Sequence, residues 1–296
     1  MCNESRRPYL LGLVYKTTSG EKSWEVKTGV KGTQKAYNVK IIETPTTKEI
    51  WLYNEPILYV TDKETDKKEK RTRKSYDELS AQKQYDSLKR KQNHYQSMRW
   101  EIARLVDCNF DHHTKFITLT FKQNIVDVAY ANNEFKKFIK RLNYFLYKQN
   151  TQELKYIATW EKQKRGAIHY HIIFFDFPFV RKRDLETLWS HGFVDIKKIH
   201  VDSKENMGRY ISKYFSKDLD LKEYKKKAFF KSQNLKLPKI SKLIVYDPKA
   251  FQTDTEDIVF SKEYNRKTYI SGTFRRDEDL GYRFKDTPVT YIKIRK

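Results

Sequence analysis

LKYIATWEKQKRGAIHYHIIFF, residues 154–175, consists of two apolar, β-branched and aromatic runs broken by a short polar stretch with one glycine. Leu154 to Glu161 and Ala167 to Phe175 are expected as strands joined by the loop Lys162 to Gly166, which is a hairpin signature. Working upstream, Phe116 to Phe121 (FITLTF) has the composition of another strand. Phe135, Phe138, Ile139, Leu142, Phe145 and Leu146 then fall on one face of a helix ending near Tyr147, and that face suits packing on a sheet. Downstream, a short helix from Asp184 to His191 stops at Gly192, a strand runs from Phe193 to Ile199, and a last helix covers Lys204 to Lys217. The order βαββαβ implies an α+β fold: a ferredoxin-like (RRM-like) antiparallel sheet with helices on one face.

Basic extensions flank this centre. Pro8 to Val60 is β-rich, with alternating segments at Tyr37 to Ile42 and Glu49 to Tyr53 and polar turns at Ser19-Gly20 and Lys31-Gly32. Thr61 to Lys74 is a mixed-charge run suited to a solvated linker. From Tyr76 to about Val106, Tyr85, Leu88, Tyr95, Met98, Ile102 and Leu105 recur at helical spacing among Lys83, Lys89, Arg90, Lys91 and Arg99. Such a helix either lies on DNA or packs one face and solvates the other. Leu219 to Lys296 is basic, aromatic and partly β-like, with breaks at Pro238 and Pro248. The expected organisation is a β-rich region 1–75, a basic helical segment 76–107, a catalytic domain 108–220 and a basic C-terminal region 221–296.

The chain has 296 residues, a formal charge of +23 and 38% apolar content, enough for a core and a strong pull on polyanions. Nucleic acid is the expected partner. Every apolar run is interrupted by charge well short of the roughly 18 residues a spanning helix needs, and Tyr9 to Tyr15 has no signal-peptide cleavage pattern behind it. The expectation is a cytoplasmic protein without a membrane partner. Cys2 and Cys108 are the two cysteines, which excludes a disulfide framework and a cysteine-rich zinc site.

Three short segments can carry chemistry. In His169-Tyr170-His171 the alternation of a strand puts both imidazoles on one face. Glu161 ends the partner strand of the same hairpin, so the turn returns it beside the histidines. A carboxylate and two neutral imidazoles supply three ligands and leave positions open for phosphate and water oxygens, which suits Mg²⁺ or Mn²⁺; structural zinc wants four closed ligands. His112 and His113 are adjacent and would point to opposite faces, while His94, His191 and His200 lack partner spacing. On the last helix, Tyr210 and Tyr214 share a face, and each has a lysine three residues on, Lys213 and Lys217. A phenol with a pKa near ~10 needs a nearby cation to become a nucleophile at neutral pH. Each segment also has a plainer reading as surface or core histidines, a solvated glutamate, or structural tyrosines.

Taken in order, FITLTF (116–121), EKQKRGAIHYH (161–171) and YISKYFSK (210–217) resemble motifs one, two and three of rolling-circle Rep proteins of the HUH endonuclease class. The resemblance covers about Asn109 to Asp218, and the paired tyrosines are similar to those of initiators from isometric single-stranded DNA phages and related plasmids; Phe229 to Pro238 is similar to the flanks of such initiators. It implies His169, His171 and Glu161 as ligands of Mg²⁺ or Mn²⁺, Tyr210 and Tyr214 as nucleophiles, and Lys213 and Lys217 as supporting cations. The activity implied is site-specific nicking and rejoining of single-stranded origin DNA through a 5′-phosphotyrosine. No GxxxxGK[ST] element occurs, so a host helicase and polymerase are implied partners. A conjugative relaxase or tyrosine transposase would share the chemistry, although relaxases place the nucleophile before the histidines. A non-catalytic nucleic-acid-binding protein could share the sheet.

Overall fold

Alternating apolar residues set most of the chain into strands, and the computed structural model describes residues 13–18, 21–26, 34–60, 80–163, 165–198, 229–246, 257–269 and 284–296. In chain order the elements begin with β1 (Leu13–Thr18), β2 (Glu21–Val26), β3 (Gln34–Glu43), β4 (Thr47–Val60), α1 (Ala81–Asn109), β5 (Lys115–Phe121) and α2 (Val128–Tyr147). They continue with β6 (Lys155–Lys162), β7 (Ile168–Phe175), α3 (Lys182–Trp189), β8 (Gly192–Lys198), β9 (Phe229–Lys231), β10 (Lys239–Leu243), β11 (Ile258–Tyr269) and β12 (Phe284–Arg295). The turns at Ser19-Gly20 and Lys31-Gly32, the linker Thr61 to Lys74, His200 and the helix Lys204 to Lys217 lie outside the described residues.

The chain divides into two units, one formed by Met1–Arg73 with Lys239–Lys296 and the other by Lys74–Pro238. In the first, the antiparallel order β1-β2-β3-β4-β12-β11, with β10 on β3, joins strands from both ends of the chain into one sheet. Val39, Ile41, Ile50, Leu52 and Ile292 form its largest apolar cluster.

The second unit has the sheet order β8-β5-β7-β6-β9, every pair antiparallel. With β5-α2-β6-β7-α3-β8 as the chain order, this is the ferredoxin-like α+β arrangement expected from the sequence, extended at one edge by β9. Ile117, Leu119, Tyr170, Ile172 and Phe174 on one face of the sheet pack against Phe135, Phe138 and Leu142 of α2 and Leu185 and Trp189 of α3. Phe135 lies flat on Tyr170, the ring centroids 4.5 Å apart.

Helix α2 starts at Asp127, whose carboxylate accepts from the N–H of Ala129, and stops at Lys148 in the left-handed region. The buried Asn143 fastens the next loop: its amide donates to the carbonyls of Gln149 and Thr151 and its oxygen accepts from the N–H groups of Glu153 and Leu154.

Several boundaries differ from the sequence expectation. Phe145 is 38% exposed, at the margin of the α2 stripe. Helix α1 continues to Asn109, where the side-chain amide donates to Leu105 O and, across the chain, to Lys236 O. Its apolar positions divide: Tyr95, Met98, Ile102 and Leu105 are buried, whereas Tyr85 and Leu88 are 60% and 53% exposed. Helix α3 ends at Trp189 with Ser190 as its left-handed cap, two residues earlier than Gly192. Gly192 serves a different need, because a Cβ there would press on the backbone of Thr120 and Lys122. Among the described residues no helix is long and apolar enough to cross a membrane.

Candidate functional site

The hairpin closes at Gly166, whose φ of 84° suits the glycine and whose N–H donates to Gln163 O at 2.8 Å. That turn sets the register of β6 on β7, placing Glu161 opposite His169 and Thr159 opposite His171. On the other side β5 sets Thr120 opposite His169 and Thr118 opposite His171. Directly paired residues share a face, so two histidines, three threonines and a glutamate meet on the side of the sheet away from α2 and α3. Tyr170 points the other way: it is fully buried and its hydroxyl donates to Asn132 Oδ1 at 2.7 Å. Burial drives its pKa far up, which removes it as a nucleophile.

One end of this face is closed by apolar packing. Ile102, Leu105 and Val106 of α1 and Leu235 cover Phe116, Ile157, Ile173 and Phe175. His171 stands at the border, its ring stacked on Phe116 with centroids 5.6 Å apart and planes within 16°. One strand over, β8 puts Phe193 opposite Thr120, and this ring is 62% exposed.

Glu161 turns diagonally to His171, with 2.7 Å between Oε1 and Nε2. The Nδ1 of His171 lies 3.2 Å from Thr118 Oγ1, and that of His169 lies 3.4 Å from Thr120 Oγ1 and 3.3 Å from Gln163 Nε2. His169 is only 6% exposed. Its Nε2 is buried without a hydrogen-bond partner. Burial pushes its pKa down, aided by repulsion from His171 and Arg165 and opposed by Glu161, so the ring is held neutral with a lone pair to offer.

The three residues singled out from the sequence are thus neighbours, but with Glu161 bonded to His171 they do not form a ready cage. Among the described residues no three His, Cys, Asp or Glu side chains are gathered as they stand to hold an ion. The orphaned Nε2 of His169 and the donor chemistry of the set nevertheless fit a divalent cation. Tyr210, Tyr214, Lys213 and Lys217 lie outside the described residues.

Thr118, Thr120, Gln163 and Phe193 were not singled out from the sequence. The alternation in FITLTF puts both threonines on one face, but only the β5–β7 register reveals that this is the histidine face. A further histidine, His191, has a partner after all: its Nε2 lies 2.9 Å from Glu134 Oε2, and Lys137 bonds the same carboxylate at 2.7 Å. This pairing joins α2 to the segment after α3, and Lys137 first, then His191, hold the Glu134 pKa below its ordinary value.

Residues 114–219 match a family described as Replication-associated protein, of the ORF2 type. The chain is also 28% identical over 167 residues to the Phasyl DNA replicon protein arp of Escherichia coli, an alignment covering 45% of this chain and 56% of that protein. The chain therefore spans about half the length of the curated relative it matches. No solved structure matches it. Both similarities are to replication proteins.

Proposed function

We propose that the chain initiates rolling-circle replication, nicking one strand of origin DNA and later rejoining it through tyrosine transesterification of the HUH type. The observation that carries this reading is the meeting of His169, His171 and Glu161 on one sheet face, with the Nε2 of His169 buried and unpartnered. The family similarity supports it, because residues 114–219 run from this sheet through the paired tyrosines.

His169, His171 and Glu161 would hold Mg²⁺ or Mn²⁺, whose contribution when bound is to polarise the scissile phosphate as a Lewis acid. The chain's own groups prepare for it. A neutral His171 that donates Nε2–H to Glu161 must release that bond and carry its proton on Nδ1 instead, where Thr118 Oγ1 stands to accept it. Thr120 and Gln163 have the same relation to His169. Phe193 offers an exposed ring on which an unpaired base can stack.

In the reaction itself Oη of Tyr210 or Tyr214 attacks the phosphorus in line. The P–Oη bond forms, the P–O3′ bond breaks, the phenol gives up its proton and the departing 3′ oxygen gains one. A 5′-phosphotyrosine and a free 3′ hydroxyl result, the latter able to prime a host polymerase after a host helicase opens the duplex. No ATP is needed, since the phosphotyrosine retains the bond energy and attack by a 3′ hydroxyl reverses the step. Lys213 and Lys217 would favour the phenolate. One helical turn between the tyrosines lets the second act while the first still holds the 5′ end.

The test is to incubate the protein with a randomised single-stranded DNA library and Mn²⁺, isolate covalent adducts and map the modified residue by mass spectrometry. Adducts at Tyr210 or Tyr214 are expected, with none in the Tyr210→Phe/Tyr214→Phe double variant or in His169→Ala and His171→Ala. Adduct formation by the double tyrosine variant, or full activity in excess chelator, would overturn the mechanism.

A further inference from the structure

We infer that β11 and its neighbour β12 form a second nucleic-acid surface, one that grips single-stranded DNA by its phosphates and bases. It belongs to a different sheet from the histidines and lies outside the segment 114–219 that matches the replication family. The inference does not depend on nicking chemistry.

Phe260, Lys262, Tyr264 and Arg266 occupy alternate positions of β11 and so share one face. All four are exposed, Phe260 at 50% and Tyr264 at 39%. Opposite Phe260 and Lys262, β12 places Lys293 and Tyr291. The rings continue inward: Phe260 lies 6.0 Å from Tyr291, Tyr291 lies 5.0 Å from Trp51 of β4, and Lys40 of β3 sits over Trp51 at 5.2 Å. Arg266 is 5.9 Å from the ring of Tyr53. Between these positions the reverse face of β11 has Ser261, Glu263 and Asn265, so along this stretch cations and rings are sorted onto one side and the acidic group onto the other.

Edge strands often use charged residues to discourage pairing with other chains, and β11 is an edge strand. That explains Lys262 and Arg266 but not Phe260 and Tyr264, since exposed rings on an edge increase the hazard. A ligand with both anionic phosphates and flat apolar faces accounts for the whole alternation. Duplex DNA hides its base faces in the stack, so the ligand is single-stranded. The chain's +23 charge favours the same polymer.

The experiment measures binding of the full-length protein to fluorescein-labelled oligothymidylate by anisotropy, with chelator present, across a salt series. Lys262→Gln/Arg266→Gln should weaken binding and lower the slope of log affinity against log salt by about 1.4, at about 0.7 for each cation on a single strand. Phe260→Ser/Tyr264→Ser should weaken binding by roughly fivefold or more per ring while leaving the slope unchanged. Both variants should still form the covalent adduct with saturating cleavable oligonucleotide, which separates this surface from the nicking reading. Wild-type affinity and slope in both variants would overturn the inference. So would wild-type affinity accompanied by self-association of the Gln variant, which would show that the cations merely blunt the edge.

Discussion

Replacing Thr118 with Val exchanges a hydroxyl for a methyl group of nearly the same shape on a strand that favours both residues. The lost contact is the one to Nδ1 of His171, 3.2 Å long and between neutral groups. Such a bond contributes about 1 kcal/mol net, a little under a factor of ten in affinity, which meets the lower end of the roughly 10- to 100-fold cost of removing a partner that orients a metal-binding histidine. Thr118→Val should therefore bind Mn²⁺ about tenfold more weakly. Thr120→Val should lose about threefold or less, because its contact to His169 is longer at 3.4 Å and Gln163 stands ready at 3.3 Å. Thr118→Ser, which restores the oxygen, should recover most of the affinity. Titration of Mn²⁺ followed by electron paramagnetic resonance measures all three without reference to catalysis. Undiminished binding by Thr118→Val, or equal losses in Val and Ser, would refute the assignment of the hydroxyl as the group that orients His171.

Three further perturbations test the scaffold. Asn143→Ala deletes two donors and two acceptances and strands the buried N–H of Leu154; urea unfolding followed by circular dichroism should show a loss of about 3 kcal/mol. Gly192→Ala puts a Cβ within 2.5 Å of Lys122 N and closer still to Thr120 O, and backbone displacement there should cost about 3 kcal/mol in the same assay. Glu134 has its pKa depressed below the ordinary 4.5 by Lys137 and His191, so its stabilising contribution is present above that value and is lost as pH falls through the folded pKa. The stability gap between wild type and Glu134→Gln should accordingly hold near neutrality and narrow below pH 4.5, as followed by unfolding across an acid pH series.

Local rules made part of the site legible. Strand alternation alone puts His169 and His171 on the same face and Tyr170 on the other, and a single glycine in a polar break predicts the hairpin that returns Glu161 to their side. Helical periodicity likewise identified Phe135, Phe138, Ile139 and Leu142 as the buried stripe of α2. These patterns need only near neighbours in the chain, whose geometry is set by backbone sterics and turn chemistry.

Pairings between distant segments were decided by tertiary structure. Thr118 and Thr120 precede His171 and His169 by 53 and 49 positions, and nothing in FITLTF specifies which of the later strands will lie beside it or in what register. Phe229–Lys231 becomes an edge strand on β6, and Lys239–Lys296 supplies strands to the sheet begun by the N-terminal residues, although both segments read only as basic and aromatic in the sequence. Helix α1 shows the same limit: its apolar spacing continues from Tyr85 to Leu105, yet only Tyr95 onward is buried. Periodicity tells which residues share a face, whereas the surface that face meets depends on closing long loops, whose entropic cost only the sum of many contacts in the finished fold can offset.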